Sequence, residues 1–151
     1  MIVYRIAKKK IRSNDLSGQG AAIEGGRWNS EEIVALYTSA SRSLALLELL
    51  VHVEESELPP NLFITTIDID DTAPMLEISG ADLPADWWIT EHLKLKKTGD
   101  QIFREKNFIA IKAPSAVMPQ EYNYILNPLF PRYYDLVKII STEDYSRDER
   151  L

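Results

Sequence analysis

The chain has 151 residues, of which 45% are hydrophobic and 26% are charged, a composition typical of a folded globular domain. This composition excludes disordered, collagen-like and low-complexity proteins. A chain of this length buries about 68–70% of its unfolded surface, so a single domain folds without a metal or a disulfide. The chain has no cysteine, which excludes disulfide scaffolds, thiolate metal sites and cysteine nucleophiles.

The charge and hydropathy of the chain argue against nucleic acid and membranes as direct partners. The 17 Lys and Arg residues against 23 Asp and Glu residues give a net charge of −6, which repels a phosphate backbone. The basic cluster of residues 8–10 and Arg12 has no interleaved aromatic residues, so we interpret it as a solvated loop. The longest apolar segment, residues 44–51, is interrupted by Glu48 and is too short to span a bilayer. The N-terminus lacks the basic-then-apolar order of a secretory signal, and we expect a cytoplasmic protein.

The predicted elements of the first third of the chain are two short strands and a helix. Residues 1–6 form the first strand, and residues 13–30 form a loop that contains four of the 6 glycines. Because only glycine adopts positive φ without strain, this clustering indicates a loop of defined shape. Residues 33–37 form the second strand. Ser39 or Ser41 then caps a helix that runs through Leu44, Leu47, Glu48 and Val51, which follow the i, i+3, i+4, i+7 spacing of one helix face.

The rest of the chain contains further strands and weaker signals. Residues 61–70, which are rich in β-branched side chains, and residues 108–112 are predicted strands. Between them the pattern is weak and supports only a short helix near residues 86–95. A last apolar run covers residues 133–140, and the charged tail, residues 141–151, is predicted to fray.

The arrangement of these elements predicts a single domain over residues 1–151. No repeat, linker or change in composition marks a second domain. Strands spread through the chain with few helices between them favour a mixed α/β or α+β sheet over a doubly wound one.

Glu48 is the most informative single residue. It is the one charged side chain among residues 44–51, on a predicted helix that is apolar on every other side. Burial of an unpaired carboxylate is very costly. Glu48 therefore either lies at the solvent margin of the helix or lines a cavity.

A glycine-rich loop around Arg27 is a candidate anion site. Gly25 and Gly26 precede Arg27 and can bring backbone N–H groups and a planar guanidinium to the same phosphate oxygens. The next residue, Trp28, either stacks on a base or fills the core. The loop lacks the Gly-Lys-Ser/Thr of a P-loop and the third glycine of a Rossmann fingerprint, which disfavours both of those nucleotide-binding folds.

Ser115 follows a predicted strand and is a further candidate. It lacks the Gly-x-Ser-x-Gly elbow, and the chain has only 2 histidines to act as its base, which disfavours a serine hydrolase. Ser115 is either a substrate-binding hydroxyl or a turn serine. The polar stretch that contains Tyr122, Asn123 and Asn127 suits a site rim or an ordinary loop.

No group of histidines or carboxylates has metal-site spacing, and we expect no metal.

In chain order, these segments resemble the RES domain, a family of bacterial toxins named for an arginine, a glutamate and a serine. The resemblance spans nearly the whole chain, and its strength lies in the number of motifs in the right order. The matching segments are Tyr4-Arg5, Gly20-Ala21, Gly25-Gly26-Arg27-Trp28-Asn29-Ser30, Leu36-Tyr37-Thr38-Ser39, Ala45-Leu46-Leu47-Glu48 with His52, Leu83-Pro84 before Trp87, Thr98-Gly99-Asp100, Pro114-Ser115-Ala116-Val117, and Asn123 with Leu126-Asn127-Pro128.

Three positions depart from the family pattern. The turn after Asn29 has no glycine, Phe130 precedes Pro131 where the family commonly has a histidine, and Ile102 or Phe103 replaces the usual tryptophan. None of these changes a residue to which a family role is carried over. They concern loop geometry and rate more than reaction class.

The resemblance implies a fold similar to ADP-ribosyltransferases: one α+β domain with a split mixed β-sheet, flanking helices and a cleft for NAD. It implies that Arg27 holds the pyrophosphate, Tyr37 packs against or orients the nicotinamide riboside, Glu48 acts at the ribose, and Ser115 helps to position the nicotinamide half. The implied catalytic residues are Glu48, Arg27 and Tyr37. The implied substrate-binding residues are Arg27, Trp28, Tyr37, Ser115, Asn123 and Asn127.

The implied activity is depletion of NAD through cleavage of the nicotinamide–ribose bond, by an NAD glycohydrolase with water or an NAD phosphorylase with phosphate as the acceptor. A carboxylate in a water-poor pocket stabilises the oxocarbenium-like transition state of this reaction more than its ground state. Nicotinamide leaves as a neutral molecule, so no general acid is required. NAD is a consumed substrate, and no cofactor is expected.

Two alternatives remain open: an ADP-ribosyltransferase that acts on a protein target, and a non-catalytic nucleotide-binding or interaction module in which Glu48 and Arg27 form a buried ion pair.

A toxin must be silenced in its own cell, so the resemblance implies an Xre-type antitoxin that covers the cleft. The net charge of −6 is compatible with a partner that offers basic groups. This chain is also a candidate to form a homodimer within a toxin–antitoxin hetero-oligomer. We expect contact with DNA only through the antitoxin.

Overall fold

The computed structural model describes residues 1–151 and contains one mixed β-sheet with flanking helices. The seven strands of the sheet are β1 (Ile2–Ala7), β2 (Leu36–Ser39), β3 (Asn61–Ile69), β4 (Met75–Glu77), β5 (Ala110–Pro114), β6 (Tyr122–Leu126) and β7 (Val137–Ser146). They lie in the order β4-β5-β6-β2-β1-β3-β7. The β4–β5 pair is parallel and the other pairs are antiparallel.

The sheet is split between β1 and β2. These two strands share a single register pair, Tyr4 with Ser39, whereas β1 pairs with β3 along its whole length. The two halves of the sheet are therefore held together weakly at this point, which leaves room for side chains from both halves to face one opening. The predicted α+β domain with a split mixed sheet and flanking helices is confirmed.

Five α-helices connect and cover the strands: α1 (Lys10–Ser13), α2 (Gln19–Glu24), α3 (Arg42–His52), α4 (Leu93–Glu105) and α5 (Tyr133–Leu136). Of the two predicted caps of α3, Ser41 is the one in use, because its Oγ accepts a hydrogen bond from the amide of Leu44 at 3.1 Å. None of the helices has both the length and the apolar composition that a membrane span requires.

Two buried clusters pack on opposite faces of the sheet. Successive side chains of β6 point to opposite faces, so Tyr124 and Leu126 enter one cluster and Ile125 enters the other. The second cluster is completed by α4, which contributes Leu95 and Phe103. The helix thereby covers the face of the sheet that lies beneath the Arg27 loop.

The loop predicted for residues 13–30 contains a helix that the sequence did not reveal. Helix α2 begins after Gly18, whose φ is +73°, and a Cβ at this position would lie 2.7 Å from the amide nitrogen of Ala35. The glycines thus start a helix and shape a turn, and they do not mark a continuous loop. In the turn where the family usually has a glycine, Glu32 takes the left-handed conformation with φ 73°.

The predicted short helix near residues 86–95 was wrong in place and length, since α4 runs over Leu93–Glu105. Its inner face includes two buried polar residues, Lys96 and Asp100, which interrupt the apolar period. The loop or rim predicted around Tyr122 and Asn123 is strand β6, and the strand predicted over residues 33–37 is shifted to β2.

The predicted frayed tail over residues 141–151 was wrong for residues 141–146. They belong to β7, which pairs with β3 as far as the register pair of Asn61 with Ser146. Backbone hydrogen bonds along an edge strand tolerate charged side chains that point into solvent, so the charge of this segment did not predict its structure.

Candidate active site

A cavity of about 490 Å³ opens at the split between the two halves of the sheet. Tyr4 and Ser39, the pair that joins the halves, both line it. Helix α3 contributes Glu48 and His52, and the loop after α2 contributes Arg27. The fold therefore brings to one cavity the carboxylate and the guanidinium that the sequence singled out separately.

Two neutral donors hold the carboxylate of Glu48. Its Oε1 accepts hydrogen bonds from Ser115 Oγ at 2.6 Å and from Asn123 Nδ2 at 2.7 Å. His52 Nε2, one turn further along α3, lies 3.7 Å from Oε2. The side chain is 22% exposed, and Oε2 is neither hydrogen-bonded nor buried. Of the two predicted environments the structure thus has the second: Glu48 lines a cavity, with one oxygen anchored and one accessible.

The environment of Glu48 keeps its carboxylate charged. Burial raises the pKa of Glu48, but nearby His52 and the hydrogen bonds from Ser115 and Asn123 outweigh that effect, so the pKa lies below its usual value. No arginine or lysine forms a salt bridge with this carboxylate. Its negative charge is therefore available to a group in the cavity on which positive charge develops.

Ser115 is positioned so that its proton can only point at Glu48. Its Oγ accepts hydrogen bonds from the amides of Val117 at 3.2 Å and Met118 at 3.1 Å, which leaves the O–H to donate to the carboxylate. The side chain is completely buried and does not line the cavity. Ser115 thus orients Glu48 from behind. Its contacts with the two amides fit the predicted turn serine, and it does not line the cavity as a substrate-binding hydroxyl would.

Asn123 reaches Glu48 from β6 and is itself oriented by β2. Ser39 Oγ donates to Asn123 Oδ1 at 2.7 Å, so the amide Nδ2 of Asn123 must face the carboxylate. Ser39 and Asn123 form a register pair of the β2–β6 ladder. Sequence patterns identified Asn123 as a candidate site residue but considered Ser39 only as a helix cap.

The guanidinium of Arg27 is held by backbone carbonyl groups. Its Nη1 donates to the carbonyl oxygens of Trp87 at 2.7 Å and Ile89 at 3.1 Å, and its Nη2 donates to that of Trp88 at 3.4 Å. Partial burial lowers the pKa of Arg27, which the charge of Glu48 counteracts. The two side chains form no salt bridge, so the buried ion pair of the binding-module alternative is not present.

Tyr37 organises the turn that carries Arg27. Its hydroxyl donates to Asn29 Oδ1 at 2.6 Å and accepts from the amide of Trp28 at 2.9 Å. Burial raises the pKa of Tyr37, so the hydroxyl stays protonated. A Cβ on Gly26 would lie 2.5 Å from this hydroxyl, which explains why a glycine precedes Arg27.

Helix α4 fixes the other side of the Arg27 loop. Asp100 accepts hydrogen bonds from the amide of Ser30 at 2.8 Å and from its Oγ at 2.6 Å, and the buried ammonium of Lys96 donates to the carbonyl oxygen of Gly26. A Cβ on Gly99 would lie 1.7 Å from the carbonyl oxygen of Trp28, so the helix backbone and the loop are in direct contact. Lys96 lay beyond the predicted helix near residues 86–95, and no sequence pattern identified it, since a lysine side chain is usually solvated.

Two predicted substrate-binding residues have structural roles. Trp28 is buried in the second core cluster, so the core interpretation of its side chain holds, although part of the residue borders the cavity. Asn127 lies outside the cavity: its Nδ2 donates to the carbonyl oxygens of Phe103 and Phe108, and its Oδ1 accepts from the amide of Leu129. The Asn127 side chain therefore provides hydrogen bonds to buried backbone groups, and it is not part of the cavity that was predicted to include it.

The chain contains no group of three or more His, Asp or Glu side chains arranged to hold a metal ion. What the cavity offers is an oriented carboxylate, a guanidinium bonded only to neutral carbonyls, and a histidine beside the carboxylate. This combination suits a ligand that carries both phosphate groups and a centre of developing positive charge.

Comparisons with known proteins show which proteins this chain is similar to. The chain is 35% identical to a protein named Toxin Res from Photorhabdus laumondii, over 100% of this chain and 97% of that protein. It is 32% identical to a protein named Prs ADP-ribosylating toxin from a Sphingobium species, over 85% of this chain and 83% of that protein. Among solved structures, the M. tuberculosis MbcT–MbcA toxin–antitoxin complex contains a chain with a similar fold, at a TM-score of 0.75 and 17% identity, with 96% of this chain and 84% of that chain covered.

The family model described as RES domain matches residues 2–148, which include every element of the sheet and every residue of the cavity. Of the three residues that the sequence resemblance took as the family's arginine, glutamate and serine, Arg27 and Glu48 line the cavity, and Ser115 donates a hydrogen bond to the glutamate. The chain belongs to the RES domain family.

Proposed function

We propose that this protein is the toxin of a bacterial toxin–antitoxin system and that it cleaves the nicotinamide–ribose bond of NAD, the cytoplasmic dinucleotide pool being its substrate. The observation that carries this proposal is the carboxylate of Glu48, charged, anchored through Oε1, and accessible through Oε2 in a cavity of about 490 Å³. A cavity of this volume is within the usual range for small-molecule sites.

The proposed chemistry follows from the charge that develops on the ribose. As the bond between C1′ and the nicotinamide nitrogen breaks, its electron pair moves to the pyridinium ring, and positive charge spreads over C1′ and the ring oxygen of the ribose. A fixed carboxylate stabilises that charge without having to reorganise. Glu48 meets this requirement because Ser115 and Asn123 orient it before the substrate arrives.

Arg27 is the proposed partner of the pyrophosphate. Its guanidinium now bonds only to neutral carbonyl oxygens of residues 87–89, and charge-assisted bonds to phosphate are stronger than those bonds. Substrate binding would therefore exchange carbonyl partners for phosphate oxygens. Tyr37 would act by holding the Arg27 turn through Asn29 and Trp28, and it lines the cavity in which the nicotinamide riboside would bind.

The proposal for Ser115 differs from the role that the family resemblance implied. Because Ser115 is buried behind Glu48, we assign it to the orientation of the carboxylate and not to contact with nicotinamide. Asn123 shares this task and, since it also lines the cavity, is placed to contact the substrate.

The proposed partner is an antitoxin that covers the cavity. Support comes from the relatives named as toxins and from the similar fold in a toxin–antitoxin complex. The acidic net charge of −6 suits a partner surface with basic groups. An Xre-type antitoxin, and a homodimer of this chain within the complex, are the forms that we propose.

Transfer of ADP-ribose to a protein is the second candidate function. The observation that favours it is the 32% identity to a protein named Prs ADP-ribosylating toxin. The same Glu48 would stabilise the same transition state, and only the acceptor would change from water or phosphate to a protein side chain.

Product analysis distinguishes these activities. The purified chain, free of antitoxin, is incubated with NAD labelled in the adenylate half, in buffer with or without phosphate, and with or without a cell extract. We expect nicotinamide together with free ADP-ribose or its phosphate adduct. Label on a protein of the extract, with no free product, would identify a transferase, and binding of NAD without turnover in any mixture would reject an enzymatic function.

A further inference from the structure

His52 is a titratable group in the cavity that the proposed bond cleavage does not use. It lies one turn after Glu48 on α3, lines the cavity, and is 64% exposed. Its Nε2 is 3.7 Å from Glu48 Oε2. The other histidine, His92, bonds to Asp86 at 2.9 Å and does not line the cavity.

The two oxygens of Glu48 define where His52 can act. Oε1 is occupied by Ser115 and Asn123, whereas Oε2 has no hydrogen-bond partner and is accessible. The oxygen available to a ribose is therefore the one beside the imidazole. A small acceptor that approaches the ribose at this end of the cavity would come within reach of both Oε2 and His52.

Few other groups in the cavity can take a proton. Arginine side chains can only donate hydrogen bonds. A tyrosine hydroxyl keeps its proton at neutral pH, so it is a poor base. Burial raises the pKa of Tyr37 further, and its proton is committed to Asn29. Hydrogen bonds from Ser17 lower the pKa of Asp15, and those around Glu48 lower its pKa as well, which makes both carboxylates weak bases. Glu24 is exposed at the end of α2, and a carboxylate is in general a weaker base than imidazole.

We propose that His52 is the base that removes the proton from a water or hydroxyl acceptor, an inference that rests on the NAD cleavage proposed above. The bond from C1′ to nicotinamide breaks and its electron pair goes to the nicotinamide nitrogen. The acceptor oxygen forms its bond to C1′, and its proton moves to His52 Nε2. The imidazolium lies beside the Glu48 carboxylate until the exposed ring releases the proton to solvent.

This role predicts a difference between acceptors. Water and a protein hydroxyl must lose a proton as they attack, so they need the base. Inorganic phosphate in its dianionic form attacks through an oxygen that carries no proton, so it does not. His52 therefore determines which acceptors the site can use, while Glu48 serves all of them.

The test compares two acceptors in the wild type and three variants at about pH 8. Nicotinamide, ADP-ribose and the phosphate adduct of ADP-ribose are measured for the wild type, His52→Ala, His52→Gln and Glu48→Gln. We expect His52→Ala to lower hydrolysis about 10²-fold or more, a typical contribution of a general base, and to leave phosphorolysis within about threefold of the wild type. Added imidazole should restore hydrolysis by His52→Ala.

The His52→Gln variant separates proton transfer from simple support of Glu48. The amide that this substitution introduces can still donate a hydrogen bond towards Glu48 Oε2 but cannot take up a proton, so His52→Gln should behave like His52→Ala. Hydrolysis retained by His52→Gln, an equal loss with both acceptors, or no loss in either variant would overturn the role of His52. A wild type that works with phosphate alone would overturn it too.

The outcomes also separate this inference from the function on which it rests. Glu48→Gln should lose both activities. If the wild type released no nicotinamide with either acceptor, the proposed function would fail, and the role of His52 with it. If the wild type were active and Glu48→Gln were not, a missing acceptor difference in the His52 variants would overturn the role of His52 alone.

Discussion

Replacement of Ser115 by alanine tests how the fold holds Glu48. The buried hydroxyl donates to Glu48 Oε1 at 2.6 Å and accepts from the amides of Val117 and Met118 at 3.2 and 3.1 Å. Ser115→Ala removes a charge-assisted hydrogen bond and leaves two amides without this acceptor. Bonds to charged groups contribute about 1.5–3 kcal/mol, so we expect the free energy of unfolding to fall by about 2–4 kcal/mol. In a domain of this size that corresponds to a melting temperature lower by roughly 5–15 °C.

A double-mutant cycle isolates the part of this loss that comes from the carboxylate. In a Glu48→Gln background the acceptor is neutral, so Ser115→Ala should cost about 1 kcal/mol less than in the wild type. Denaturant unfolding of the four proteins measures the difference. Ser13 provides the control, because it is also a buried serine but its Oγ donates to a neutral carbonyl, that of Lys10, at 2.6 Å. Ser13→Ala should cost the same in both backgrounds. An equal cost of Ser115→Ala in both would refute the reasoning.

Three further predictions follow from single contacts. The pKa of Glu48 is lowered by folding, so its contribution to stability is present above the pKa of the unfolded state and is lost as pH falls through the folded value. The difference in unfolding free energy between the wild type and Glu48→Gln should stay constant above about pH 6 and shrink below about pH 4.5; a difference that grew in acid would contradict this. Gly26→Ala should raise the KM for NAD, because its Cβ would lie 2.5 Å from the Tyr37 hydroxyl, whereas Gly80→Ala, with no atom within 4 Å of the added carbon, should leave KM unchanged. Asn127→Ala should destabilise the fold by about 2–3 kcal/mol without changing the turnover of folded protein, and turnover lost at unchanged stability would return Asn127 to the site.

Local sequence patterns correctly predicted the helices and strands that bury one apolar face. Residues 61–70 and 108–112 were expected as strands and correspond to β3 and β5, and the helix around Glu48 was expected with Ser41 among its caps. In each case an apolar run or period reflects one buried face, which single-sequence reasoning detects.

The predictions failed where buried side chains are polar, and where a strand forms only because it pairs with another strand. Lys96 and Asp100 face inward on α4 to hold the Arg27 loop, so two buried positions of this helix are polar. Residues 141–146 are mostly polar or charged and still form part of β7, because that strand forms its hydrogen bonds with β3. Such contacts join residues far apart in sequence, and no local window contains them.

The candidate site was predictable as a set of residues but not as a geometry. Burial cost pointed to Glu48, and the two glycines pointed to Arg27, before any fold was known. The sequence did not show that Ser115 lies behind the carboxylate, or that Arg27 is held by the carbonyls of residues 87–89. It also gave no reason to separate Asn127 from Asn123, since both lie in the polar stretch that was predicted to be a site rim or a loop, and only the direction of each side chain distinguishes them.

The most direct test of the central claim is the rate of nicotinamide release from NAD by the wild type and by Glu48→Gln, with Glu55→Gln as a control in the exposed turn after α3. Loss of a preorganised charge at the transition state costs about 10²–10³ in rate. We predict a fall of that size or larger for Glu48→Gln, with folding intact and Glu55→Gln at the wild-type rate. Release by Glu48→Gln at the wild-type rate would contradict the assignment of this carboxylate as the group that stabilises the positive charge developing on the ribose.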